Sequence, residues 1–237
     1  MTGRGDTTRV WRFAGFDLDG TLIPGSTVLL HVGRHLAHSD VVEELVKGYE
    51  SYRLTNREVS TKAAALFAGL TKDDMLGMME DIPRLREIDA AIAHLHQRNI
   101  HCSIATVTFD FASEWFARRF GFDSYSGIEL VYNAAGRLTG EVARHVDERD
   151  KAEFVDRQCQ LVGARSDECF YVGDSRSDLH TFAAVGFSVA LNASPEAVAA
   201  ADVALQSDKL TEVLNLVPGL TAPSTPAGTT GPPVHDR

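Results

Sequence analysis

Short runs of consecutive apolar residues alternate along this chain with stretches whose apolar positions recur at helical spacing. The runs at residues 10–16, 101–107, 169–172, 187–191 and 203–205 read as strands, mostly buried. Helices are expected over 88–98, 111–120, 151–161, 178–185 and 195–200. The last of these opens on Ser194 as N-cap, with Pro195 at the first helical position. Strand-like runs that alternate with helices predict an α/β fold, a doubly wound and mainly parallel sheet covered by helices. Residues 128–132 and 137–142, around Asn133 to Gly136, read as a β-hairpin.

One region breaks the alternation. Residues 26–81 are mainly helical, with no convincing strand, and follow directly on the first strand and its loop. Thr71 and Asp74 offer a capping-box start to the last helix of that region. An insertion there lies over the carboxyl ends of the strands, where open α/β sheets bind ligands, so it is expected to act as a lid. The chain then divides into a catalytic core (10–25 and 82–217), a helical cap (26–81) and two ends expected to be disordered, 1–9 and 218–237. The second end is rich in Pro, Gly, Ser and Thr and has too few large apolar residues to offset ordering entropy.

Composition narrows the function classes. A formal charge of -10 argues against nonspecific nucleic-acid binding, which needs a basic face. No apolar run approaches the roughly 18 residues of a membrane span, and no signal-peptide core is present, so a cytoplasmic protein is expected. Cys102, Cys159 and Cys169 are widely spaced, with no CxxC, and read as buried thiols of a reducing compartment. His31, His35 and His38 share one face of a helix in the inserted region, either at the substrate entrance or as a transition-metal site, with a half-exposed helix face preferred. Oligomeric state is not legible.

The chemistry is concentrated in four places. Asp17-Leu18-Asp19-Gly20-Thr21 follows the first strand and sets two carboxylates two residues apart at its end. Gly20 frees the backbone to turn, and Thr21 can hydrogen-bond back to fix that turn. Thr106 stands at the end of the second core strand, Lys151 near the start of a helix, and Gly173-Asp174-Ser175-Arg176-Ser177-Asp178 after the third. A nucleophile, an acid/base, a hydroxyl donor, a fixed cation and further carboxylates suit phosphoryl transfer, which depends on electrostatic positioning of oxygens. Repulsion among the carboxylates calls for a divalent cation, and Mg²⁺ prefers such hard oxygen ligands.

In this order the motifs resemble the haloacid dehalogenase superfamily of phosphatases. The early insertion is similar to the C1 cap of the subgroup that contains phosphoserine phosphatase. So are the stretches TVTFDFASEWFARRFGFD, LTGEV and GDSRSDLHTFAAVGFSVALNASPEAV. The resemblance covers residues 12–217. It implies that Asp17 is the nucleophile that becomes an aspartyl phosphate, and that Asp19 protonates the leaving oxygen and then activates water. It implies that Asp17, the backbone carbonyl of Asp19 and Asp174 ligate Mg²⁺, with Asp178 supporting the metal directly or through water. Thr106, with the Val107 backbone N–H, would hold phosphoryl oxygens, and Lys151 would neutralise charge. Asp19 favours phosphate chemistry over dehalogenation.

The resemblance also has gaps. Ser26 stands where phosphoserine phosphatases of the family carry a Glu for the substrate ammonium. The stretch Ser60 to Phe67 has no Arg for the substrate carboxylate, and Lys62 is only an approximate replacement. Val107-Thr108 stands for Gly-Gly, and Ser177 for Asn. The expected activity is therefore Mg²⁺-dependent hydrolysis of a small-molecule phosphomonoester other than strict phosphoserine. The alternatives are a phosphomutase or phosphotransferase using Asp17, and a non-catalytic regulator that binds a phosphometabolite.

Overall fold

The computed structural model describes residues 10–221. The chain runs from β1 (Phe13–Phe16) through two short strands, β2 (Asp19–Gly20) and β3 (Ile23–Pro24). Four helices follow: α1 (Val28–His35), α2 (Ser39–Glu50), α3 (Asn56–Leu66) and α4 (Lys72–Met78). Next come α5 (Ile88–His96), β4 (His101–Ile104), α6 (Asp110–Phe120) and β5 (Ser124–Tyr125). The strands β6 (Glu129–Tyr132) and β7 (Leu138–Arg144) precede α7 (Glu148–Leu161) and β8 (Cys169–Gly173). The chain closes with α8 (Leu179–Ala184), β9 (Phe187–Leu191), α9 (Pro195–Ala200), β10 (Val203–Leu205) and α10 (Leu210–Leu214).

Six strands form one parallel sheet in the order β10-β9-β8-β1-β4-β5. β1 sits between β8 and β4, so the connections leave it in opposite directions along the sheet. The crevice beyond the carboxyl ends of β1, β4 and β8 is where such a fold places a ligand. Side chains alternate across the sheet with the two-residue period of a strand. Ala14, Phe16, Phe170 and Val172 pack into the larger core, and Phe13 and Tyr171 into a smaller one with Val155 and Phe182. All three cysteines are buried.

The five anticipated core strands are present, and the sheet is α/β and doubly wound as expected. β5 was not anticipated: two residues at the sheet edge carry too little apolar pattern to signal a strand. The hairpin forms between β6 and β7. It also holds the inserted helices, because Gly69 N–H donates to the Leu138 carbonyl and Leu138 N–H to the Leu70 carbonyl. Both anticipated caps form, Ser194 Oγ accepting from Ala197 N–H, and Thr71 and Asp74 closing a reciprocal box. One expectation is corrected. Pro218 does not begin a disordered end, since its carbonyl accepts from Trp11 Nε1 at 2.7 Å and Leu220 is buried in the core. Residues 1–9 and 222–237 lie outside the described residues.

Candidate active site

The end of β1 delivers Asp17 to the floor of a cavity of about 380 Å³. The sheet contributes Asp17, Thr106 and Asp174 to its walls, and the inserted helices contribute Leu29, Tyr49 and Asn56. Backbone pairing fixes the floor: Asp17 N–H donates to the Val172 carbonyl, and Ala105 N–H to the Phe16 carbonyl.

Lys151, fully buried one turn into α7, reaches beneath Asp17. Its Nζ donates to Asp17 Oδ1 at 2.7 Å, to Asp178 Oδ1 at 2.6 Å and to Ser177 Oγ at 3.1 Å. Burial alone would lower the Lys151 pKa, but the two carboxylates outweigh it and raise it, so the ammonium stays charged. With Oδ1 engaged, Asp17 has Oδ2 as its free oxygen.

Asp178 is the anchor of this arrangement. Its Oδ1 also accepts from Tyr171 Oη at 3.0 Å, and its Oδ2 accepts the N–H groups of Asp174 and Ser175, each at 3.0 Å. Four donors fill the ordinary acceptor capacity of a carboxylate. The arrangement leaves Asp178 little capacity for a cation, in contrast to the direct ligation that was one expectation.

Asp19 faces the cavity half-buried, and its Oδ1 accepts from Val28 N–H at the start of α1 at 2.7 Å. Gly20 turns the chain at φ +82°, and a Cβ there would stand 2.1 Å from Asp174 Oδ2. Position 20 thus needs glycine for both conformation and space. Thr21 does not bond back into its own turn. Its Oγ1 donates to Asp174 Oδ1 at 3.0 Å, which ties the first motif to the fourth.

The carboxylates outnumber the charge that balances them. Burial, opposed by Lys151 and reinforced by Asp178, raises Asp17 from 3.8 to about 6. Burial raises Asp19 to about 7 against the pull of the Val28 N–H. Burial, with Asp17 and Asp178 nearby, lifts Asp174 well above the carboxylate range. Oxygens of Asp17, Asp174 and Asp178 approach within 4.8 Å of one another. A gathering of hard, half-neutralised oxygen donors is a fit for a small divalent cation.

Thr106 is fully buried, and its Oγ1 accepts from Thr108 N–H, so the hydroxyl proton can point at a ligand. Its own N–H donates to Ser126 Oγ. Val107 lines the cavity beside it, its carbonyl taken by Asn56 Nδ2 of α3 at 2.8 Å.

The family model for haloacid dehalogenase-like hydrolase matches residues 14–183. The chain belongs to this family. It is a phosphoserine phosphatase-like hydrolase of that family by its curated relatives. It is 23% identical over 203 residues to the phosphoserine phosphatase of Methanocaldococcus jannaschii, covering 85% of this chain and 95% of that protein. It is 24% identical over 205 residues to that of Wolinella succinogenes, covering 86% and 98%.

Solved structures agree on the fold. A phospho-aspartyl intermediate analogue of phosphoserine phosphatase superposes with a TM-score of 0.77 at 21% identity, over 87% of this chain and 99% of that one. A family hydrolase from Salmonella enterica serovar Typhi gives 0.81 at 13% identity, over 91% and 74%.

Lys62, singled out in the sequence of this family member, does not line the cavity. α3 turns Asn56, Val59 and Ser60 to the cavity at helical spacing, which leaves Lys62 exposed on the outer side. Ser26 does line the cavity, buried, and its Oγ has no hydrogen-bond partner among the described residues. None of His31, His35 and His38 lines it. Instead His31 Nε2 lies 2.7 Å from the Met78 carbonyl, and His31 and His35 both reach Asp81, tying α1 to the end of α4.

Sequence reasoning missed Tyr171, Ser126 and Asn56. Each acts through a partner far along the chain, and only the pairing of strands or helices makes the contact. No helix among the described residues is long and apolar enough to cross a membrane.

Proposed function

We propose that this chain is a cytoplasmic, Mg²⁺-dependent phosphatase that hydrolyses a small phosphomonoester through a phosphorylated Asp17. One observation carries the reading. Asp17, held on the cavity floor by a buried cation, stands two residues from Asp19, whose raised pKa lets it keep a proton near neutrality.

Asp17 Oδ2 attacks phosphorus as the ester P–O bond breaks, and the departing oxygen takes its proton from Asp19. The Asp19 carboxylate then accepts a proton from water as that water attacks the same phosphorus. The bond to Asp17 breaks, inorganic phosphate leaves and both carboxyl groups return to their starting states. Thr106 Oγ and the Val107 N–H hold the transferring oxygens, and Lys151 offsets charge on Asp17 throughout. Mg²⁺, held by Asp17, Asp174 and the Asp19 carbonyl, would supply further neutralisation of phosphate charge. Asp178 serves by holding Lys151 and the Asp174 backbone.

The substrate is unlike phosphoserine. Arg176 is the single basic residue lining the cavity among those described, and its guanidinium is already committed to Tyr49 and Glu148. A substrate carboxylate would be desolvated without a partner, which is costly. Leu29, Leu30, Val46 and Val59 give the inserted side an apolar wall, and Ser26 offers a free hydroxyl. The organic group that fits has an apolar body, a hydrogen-bonding function and no carboxylate.

The test is phosphate release from a panel of phosphomonoesters with and without carboxylates, in Mg²⁺ and in EDTA, with wild type and Asp17→Asn. Metal-dependent release that disappears in the variant and favours carboxylate-free esters is expected. Isomerised product without phosphate, or a preference for phosphoserine, contradicts the reading.

A further inference from the structure

We propose that Arg176 is a positioning residue that clamps the inserted helices over the cavity and links their closure to the loop bearing Asp174 and the helix bearing Lys151. The effect on turnover rests on the phosphatase reading above, whereas the clamp itself rests on geometry alone.

The guanidinium is held by four contacts. Its carbon lies 4.3 Å from the Tyr49 ring centre and 3.9 Å from that of Tyr52. Nη1 donates to the Tyr49 carbonyl at 2.7 Å, and Nη2 to Glu148 Oε1 at 2.9 Å. That same Glu148 oxygen accepts from Tyr49 Oη at 2.9 Å. Tyr52 Oη in turn donates to Glu196 Oε2 of α9 at 2.7 Å. The Arg176 and Glu148 side chains are 16% and 21% exposed, so their pair is poorly screened by solvent.

The partners sit on different elements. Tyr49 belongs to α2 of the insertion, and Tyr52 follows it at φ +60°, a region a non-glycine residue enters only when its surroundings hold it there. Arg176 lies midway between Asp174 and Asp178, and Glu148 one turn before Lys151. Closure of the insertion onto the core therefore builds a contact whose two core members flank the catalytic carboxylates and the catalytic cation. A substrate that enters a cavity roofed by α1, α2 and α3 needs this contact to open, and the reaction needs it shut.

Arginine is specific to the role. A planar guanidinium can stack between two rings while its edge forks to a carbonyl and a carboxylate, and an ammonium cannot do both.

Hydrogen–deuterium exchange on the full chain, in wild type and Arg176→Lys, tests the clamp without reference to catalysis. Exchange across α2 is expected to rise at least about tenfold in the variant, the scale of losing one desolvated cation–π contact, while β1, β4 and β8 stay unchanged. Tyr52→Ala should move exchange in the same direction, and Tyr52→Phe, which keeps the stack, should stay nearer wild type. In turnover, Arg176→Lys should lower kcat about tenfold with KM changed by less than about threefold, because the closed cavity is needed for the reaction rather than for the first binding of substrate. Equal exchange in Arg176→Lys and wild type overturns the proposal. Faster exchange in a protein whose wild type releases no phosphate upholds the clamp and removes the phosphatase reading.

Discussion

Gly15 on β1 lies in register with Tyr171 on β8, and a Cβ at position 15 would stand 2.5 Å from the Tyr171 ring. The missing side chain gives the tyrosine its place, and the consequence reaches the site. Tyr171 Oη donates to Asp178 at 3.0 Å, and Asp178 accepts the Lys151 ammonium that supports Asp17. Gly15→Ala is expected to cost about 1–3 kcal/mol in urea unfolding, the usual penalty of overpacking. It should also lower turnover, since the ring it displaces carries the anchor. Unchanged stability and activity would show that the ring has room to shift.

Lys151→Ala leaves Asp17 and Asp178 facing each other without the cation between them. Removing one partner of a buried charged group typically costs about 3–5 kcal/mol, so a loss of that size is expected in the same assay. Turnover should fall with it, and a stable, active Lys151→Ala protein would mean that the cation is dispensable.

Asp19→Asn should lower turnover at least about 10²-fold, the low end for general acid–base catalysis, with folding intact by circular dichroism. Esters with better leaving groups, which need less protonation, should lose less. A uniform small loss across leaving groups would remove Asp19 from the proton-transfer role.

The raised carboxylates predict how metal and pH interact. Asp17 and Asp19 keep protons up to about 6 and about 7 when folded, against 3.8 in the unfolded chain. The folded state thus binds more protons in that window, and metal-free stability falls as pH rises through it. A cation that neutralises the carboxylates restores the loss. Mg²⁺ should therefore raise Tm more at pH 8 than at pH 5, by at least about 4 °C, or roughly 1–2 kcal/mol for a chain of this size. An equal shift at both pH values would place Mg²⁺ elsewhere.

Much of this arrangement was legible in the sequence, for physical reasons. Residues 13–16 are apolar because β1 is central and covered on both faces, and the carboxylates at its end stand out against that background. Lys151 was readable only through motif order, since a lysine in a charged helix gives no sign of burial. What escaped was set by tertiary contact. Thr21 reaches Asp174 across 153 residues, where local spacing pointed to its own turn. Lys62 faces outward because α3 spends its inner face on Asn56, Val59 and Ser60, a choice fixed by how the helix docks. Arg176 stood in the sequence only as one member of the fourth motif, and the two rings that stack on it, Tyr49 and Tyr52, lie more than a hundred residues away.

The central claim is that Asp17 carries the phosphoryl group, and trapping tests it most directly. Borohydride added during turnover reduces an acyl phosphate to an alcohol, which converts the modified aspartate to homoserine. Fragmentation of the tryptic peptide spanning residues 13–34 then distinguishes position 17 from position 19. Homoserine at position 17, formed only with substrate present, is the predicted result. Brisk phosphate release with no homoserine, or with homoserine at position 19, would contradict it.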